Sequence, residues 1–145
     1  MIFRTLALLC ALAVPAGADV MSDALQLASR ERARLGLPAL RESRQLAAVA
    51  ETQARHMARR GEVSHRGANG TRLQHRIRSS GYKACFGAEN VAAGLRSSQE
   101  VTQGWMGSPG HRKNILDPRV REGAVAAVRD GNGRVWWAMV LATPC

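Results

Sequence analysis

Gly104-Trp105-Met106-Gly107-Ser108-Pro109-Gly110-His111-Arg112-Lys113-Asn114-Ile115-Leu116 is the stretch from which the fold is read. One helix ends within it, and Ser108-Pro109 opens another, because proline's fixed φ and missing N–H suit the first helical position. Ser108 is placed to cap that second helix through its hydroxyl. His111, in the first turn, is the one side chain of the stretch suited to titrating near neutral pH or binding a metal. Ser108 also stands three residues before His111, a spacing that suggests a nucleophilic pair, but a hydroxyl held by backbone amides is poorly placed to attack.

Working upstream, Ser97 and Glu100 have the spacing of a capping box. A helix therefore begins there and runs into the quoted stretch, with Val101 and Trp105 on its buried face. Gly87-Ala88-Glu89-Asn90-Val91 reads as a glycine-punctuated segment that presents an acid near a sheet edge. Before it, Thr71 to Ser79 is a short helix with Leu73 and Ile77 inward, and Ser64-His65-Arg66-Gly67-Ala68-Asn69-Gly70 is turn chemistry around a single histidine. A longer helix covers Ser43 to Arg60, with Leu46, Val49, Ala50, Gln53 and Met57 as its inner stripe and Gly61 as a left-handed C-cap. The first helix is read from Ser22 as N-cap to Gly36 as stop, with Leu25, Ala28 and Leu35 inward. Downstream of Leu116 the period changes to that of strands: Glu122 to Arg129 and Arg134 to Ala142 flank the turn signal Asp130-Gly131-Asn132-Gly133. Helices first and a hairpin last predict an α+β layered domain.

Arg4, the apolar run Leu6 to Val14 and the small residues Ala16-Gly17-Ala18 make residues 1–18 a secretory signal peptide, leaving residues 19–145 as one domain. Cys10 lies within the apolar run behind Leu9, so it lacks the small preceding residue of a lipid-attachment site. No later run reaches the ~20 apolar residues of a membrane helix, so the mature chain is expected in the periplasm or the medium and not as an integral membrane protein. There Cys85 and Cys145 either form a disulfide or remain two free thiols; a bridge would stabilise by roughly 4 kcal/mol through loop closure. With 21 Lys and Arg against 11 Asp and Glu, the net charge is +10. That charge favours anionic lipid or envelope polymers. Aromatic residues are not interleaved with the basic ones in a way that stacks bases, so nucleic acid is not an expected partner.

Of the four histidines, His56 and His75 are read as helix-surface residues. His65 and His111, brought together with Glu89 by the fold, would match a metal site with an open position or a general-base arrangement. Loop histidines are more commonly structural or solvated, and spacing alone does not join these three.

Taken together in their order, Glu31-Arg32-Ala33-Arg34, Ser64-His65, Gly87-Ala88-Glu89-Asn90-Val91, the Trp105 to Leu116 run and the final hairpin resemble the CAP superfamily of cysteine-rich secretory, antigen and pathogenesis-related proteins, in its short bacterial secreted form. The resemblance covers about Asp23 to the C-terminus. It implies an α-β-α sandwich with a central antiparallel sheet and a cleft of two His and two Glu, whose His pair holds zinc or another divalent metal in several members. Carried over by motif, His65 and His111 take the histidine places and Glu89 one acid place. The second acid place falls on Ser108, so the cleft is His65, Glu89, Ser108 and His111 and the tetrad is incomplete. The expectation is a monomeric, exported, non-enzymatic domain that binds a small apolar or amphipathic ligand, a lipid or an anionic envelope polymer at this cleft. The alternative is a hydrolase in which a divalent metal on His65 and His111 polarises water and Glu89 serves as base.

Overall fold

The computed structural model describes the backbone of residues 16–145 and the side chains from Asp23 onward. The signal-peptide reading falls mostly on residues 1–15, outside the described residues. The elements in order are α1 (Ala16–Ala33), β1 (Arg41–Glu42), α2 (Arg44–Arg60), α3 (Leu73–Ser79), β2 (Ala84–Ala93), α4 (Ser98–Gly107), α5 (Pro109–Ile115), β3 (Glu122–Arg129) and β4 (Val135–Pro144). The sheet order is β1-β3-β4-β2. The β3–β4 hairpin and β2–β4 pairs are antiparallel, whereas the two-residue β1 joins β3 in parallel, a pairing the sequence did not suggest.

β4 shows why the domain is layered. Val135, Trp137, Met139 and Leu141 face one core with α1, α4 and α5. Trp136, Ala138, Val140 and Ala142 face a second core with α2 and α3. A period-2 strand apolar on both faces must be covered on both sides. The result is an α+β sandwich with the sheet between two helical layers.

α2 follows its predicted stripe, with Leu46, Val49, Ala50, Gln53 and Met57 all buried. Ser43 caps its start by accepting from Leu46 N, and Gly61 closes it at φ +66°, a conformation that costs glycine little. α1 departs from expectation at both ends. It extends upstream through Ser22, which therefore lies inside the helix and is not its N-cap, and it stops at Ala33. Leu35, expected inward, is 59% exposed. The inward place after Ala28 is taken by Arg32, fully buried at 0% exposure. Its Nε donates to Pro38 O (2.8 Å), Nη1 to Ile115 O (2.8 Å) and Asp117 O (2.9 Å), and Nη2 to Val120 O (3.0 Å). One guanidinium thus ties α1 and its following loop to the end of α5 and the approach to β3.

The capping box at α4 is displaced by one residue. Glu100 N donates to Ser97 Oγ (3.1 Å), but the Glu100 carboxylate accepts from Arg96 N (2.7 Å) instead of Ser97 N. Trp105 is 1% exposed, and its indole reaches Val91 O at 3.4 Å. Cys85 and Cys145 form a disulfide that holds the end of β4 to the start of β2, with the Cα atoms 4.9 Å apart.

Candidate functional site

β2 is the edge strand, and the site wraps around its outer side. Successive side chains point to opposite faces, so Glu89 enters the α2–α3 layer and Asn90 the α4–α5 layer.

On the first face, the Glu89 side chain is only 2% exposed and both its oxygens are engaged. Oε1 is 2.9 Å from His65 Nδ1. Oε2 accepts from Arg76 Nη2, and the Arg76 side chain is itself 7% exposed. Arg76 comes from the inner side of α3, beside Ile77. Its other terminal nitrogen donates to His65 O (3.1 Å) and Thr71 O (3.3 Å), so the arginine holds the histidine loop as well as the acid. Gln53 fixes that loop from α2, donating to Ser64 O (2.5 Å) and Arg66 O (3.3 Å). Gly67 completes the fit: a Cβ there would stand 2.7 Å from Thr71 Oγ1 and 2.9 Å from Arg76 Cδ, so any larger residue would push the loop off the arginine.

On the second face, Asn90 Nδ2 donates to His111 O (3.0 Å), which positions the first turn of α5. Asn114, three residues after His111, donates to Asn90 Oδ1 (2.8 Å) and to Glu89 O (3.3 Å). The edge strand is therefore stapled to the helix that carries His111.

The two imidazoles titrate in opposite directions. The bond to Glu89 raises His65 above its ordinary value, outweighing partial burial and the Arg76 charge. Burial lowers His111, and the His65 charge lowers it further. His65 exposes 60% of its side chain. With Nδ1 turned to Glu89, its Nε2 is the nitrogen offered to a ligand.

The structure thus joins His65 and Glu89 directly, and connects His111 to them through Asn90 and Asn114. Ser108 occupies the N-cap position of α5, but its side chain makes no capping bond there. The expectation that backbone amides hold the hydroxyl is corrected: Pro109, at the helix start, already removes one donor, and α5 begins without a side-chain cap. Among the described residues, no hydrogen bond or ion pair joins Ser108 to the His65–Glu89 pair.

The residues missed from sequence are Arg76, Asn90 and Asn114. Arg76 carried a signal, since it sits three residues after Leu73 on the inward side of a short helix, where an arginine requires a buried partner. The two asparagines carried none beyond polarity.

A divalent metal fits these residues only in a limited form. Among the described residues, no group of three or more His, Cys, Asp and Glu is arranged to hold one. Glu89 is committed to His65 and Arg76, so it would stand behind a metal-bound His65 as an orienting partner. The protein nitrogens remaining for an ion are those of His65 and His111, short of the three protein ligands of a catalytic zinc.

A layered α+β domain with an imidazole–carboxylate pair at the edge of its sheet is the arrangement that the CAP resemblance implied. The chain belongs to the cysteine-rich secretory protein (CAP) family, whose model matches residues 25–141. It is 30% identical over 112 residues to YkwD, an uncharacterized protein of Bacillus subtilis (strain 168), matching 77% of this chain and 43% of that protein. In fold it is similar to an extracellular SCP-domain protein from Bacillus anthracis str. Ames, with TM-score 0.80 and 24% identity over 88% of this chain and 41% of that one. It also resembles an outer surface protein of Borrelia burgdorferi, with TM-score 0.77 and 17% identity over 83% of this chain and 90% of that one. The chain thus spans about two fifths of the YkwD and B. anthracis proteins. Among the described residues, no helix is long and apolar enough to cross a membrane.

Proposed function

We propose that this CAP domain works outside the cytoplasm as a non-catalytic binding module, taking the polar end of a small amphipathic ligand or envelope component at the cleft of His65, Glu89 and His111. The observation that carries this reading is the state of Glu89. A carboxylate acting as general base must offer a free oxygen to water or substrate; Glu89 is buried and bonded at both oxygens to His65 and Arg76, so it is not free for the base role that the hydrolase reading gives it. What the cleft offers instead is an exposed imidazole. The hollow beside it, about 290 Å³, is lined by His65, Arg66, Arg72, Leu73, Gln74 and Glu89. Its free cations suit an anionic or polar head, and Leu73 provides apolar contact.

Sedimentation with phosphatidylglycerol vesicles containing palmitic acid, at physiological salt, tests this reading. Wild type is expected to co-sediment and His65→Ala to lose most of the binding; no co-sedimentation of wild type would sink the proposal. The metal-assisted hydrolase predicts calorimetric zinc binding that His111→Ala abolishes. Equal, negligible heats from both proteins would remove it.

A further inference from the structure

The positive charge of this protein is concentrated in one layer. Residues 44–83, which build the α2–α3 side of the sandwich, hold nine of the 21 Lys and Arg but only two of the 11 acids, a net +7 of the chain's +10. Few cations are ion-paired in either layer, so the scarcity of acids, and not pairing, sets residues 44–83 apart. Arg34, Arg41 and Arg119 are ion-paired with Glu31, Glu122 and Asp117. Within residues 44–83 only Arg55 and the buried Arg76 have acidic partners. Arg60, Arg66, Arg72, Arg78 and Lys83 are exposed and make no ion pair among the described residues.

These five line three adjoining hollows. The first, about 260 Å³, includes His56, Arg60, Glu62 and Arg66. The second is the hollow beside His65, and it shares Arg66 with the first. The third, about 640 Å³, shares Gln74 with the second and adds Arg78 and Lys83 over an apolar floor containing Ile77 and Phe86. Sharing Arg66 and Gln74, the three hollows adjoin one another and together define a path along this face.

We propose that this path is a docking track for a linear phosphate-bearing polyanion, a phosphodiester polymer of the cell envelope. Four of the five cations are arginines, whose planar fork pairs with phosphate oxygens in a bidentate way. Successive hollows accept successive groups of a flexible chain. A bilayer surface fits less well, because the only large hydrophobics exposed among the described residues are Leu35 and Val63, too few to anchor an apolar face in lipid. Nucleic acid fits less well because the path presents no exposed Phe, Tyr or Trp ring for a base to stack on. This inference rests on the envelope-component reading and shares Arg66 and Arg72 with it, but not the His65–Glu89 pair, so the His65→Ala vesicle test and the salt slope of the arginine variants tell the two failures apart.

The test is binding of long-chain inorganic polyphosphate by the full chain across a salt series. Five contacts, each contributing about −0.7 to −0.9 to the slope of log K against log salt, predict a slope of about −4. The combined Arg60→Gln, Arg66→Gln, Arg72→Gln and Arg78→Gln variant should lose about three from that slope and at least tenfold in affinity at low salt. The pair Arg72→Gln and Arg78→Gln, the first exposed at the N-cap of α3 and the second exposed within it, should lose about half as much slope and serves if the fourfold variant does not fold. A control with the same charge change on the other layer, Arg30→Gln, Arg96→Gln, Arg112→Gln and Lys113→Gln, should lose less than threefold. An equal loss in the control would overturn the track in favour of net charge alone. Binding to tripolyphosphate, duplex DNA or phosphatidylglycerol vesicles as tight as to the polymer would overturn the linear-polymer assignment, as would no binding to polyphosphate.

Discussion

Among the described residues two arginines are buried, and they are buried for different reasons. Arg32, on α1, has no carboxylate in contact and gives its donors to four backbone carbonyls from the loop after α1, the end of α5 and the approach to β3. Burial lowers its pKa, with Arg121 adding to the effect and Asp117 opposing it. Arg76, on α3, gives one nitrogen to the Glu89 carboxylate and the other to two carbonyls of the histidine loop. The first arginine closes gaps between pieces of chain that have no regular partners; the second balances a buried charge and aims an imidazole. An arginine surrounded by carbonyls belongs to the fold, whereas one bound to a carboxylate beside an exposed histidine belongs to the candidate site.

The largest expected effect breaks the first half of this comparison. Arg32→Leu removes the donors to four carbonyls in the crowded α1–α5 layer and should lower stability by about 4 kcal/mol, read as a shift in urea midpoint at unchanged m-value. Because the acceptors are backbone, no second substitution can relieve it. Arg76→Leu should cost about 3 kcal/mol by leaving Glu89 buried without its cation. Here rescue is possible: adding Glu89→Leu should recover about 2 kcal/mol, since replacing a whole buried pair is cheaper than breaking it. If the double variant were no more stable than Arg76→Leu, the arginine's main role would be holding the loop, and the two arginines would be alike.

The same contrast explains what could be read from the residues alone. β4 and α2 announced themselves because their periods are carried by many apolar residues at once, each reinforcing the others. The hairpin turn at Asp130–Gly133 and the cap at Gly61 were legible because few residue types tolerate those conformations. Leu35 misled for the opposite reason: one leucine at helical spacing does not outweigh a buried arginine with four carbonyls to satisfy. At the site, His65, Glu89 and His111 stood out by chemical type. The partners that position them did not, because Arg76, Gln53 and Asn114 act through contacts between residues distant in sequence, and no local pattern records such contacts. β1 was invisible since two residues carry no period.

A smaller effect separates the site's two faces. Asn114→Ala removes the staple from α5 to Asn90 and to the β2 edge and should cost about 1 kcal/mol. It should also loosen His111 relative to His65 without touching the Glu89 pair. Imidazole resonances followed by NMR would show His111 shifting and broadening while His65 stays in place; movement of both would mean that the two faces act as one unit.

The smallest effect is the most specific to Arg76's side of the comparison. Glu89 raises the folded pKa of His65 above its unfolded value of about 6.5. The stability His65 contributes is therefore fully present below about pH 6.5 and is lost as pH rises through the folded pKa. His111 runs the other way: its folded pKa is lowered, so its contribution is present above about pH 6.5 and is lost as pH falls through the folded value. With 60% of the His65 side chain in solvent, screening keeps its term small, so the NMR titration of each ring is the better measurement. Wild type should show His65 above and His111 below the ordinary histidine value. Glu89→Gln should bring His65 down and, by leaving it neutral over more of the range, bring His111 up. A His65 that keeps its raised pKa in Glu89→Gln would show that Glu89 does not set its charge, and the distinction between a structural and a site arginine would lose its functional half.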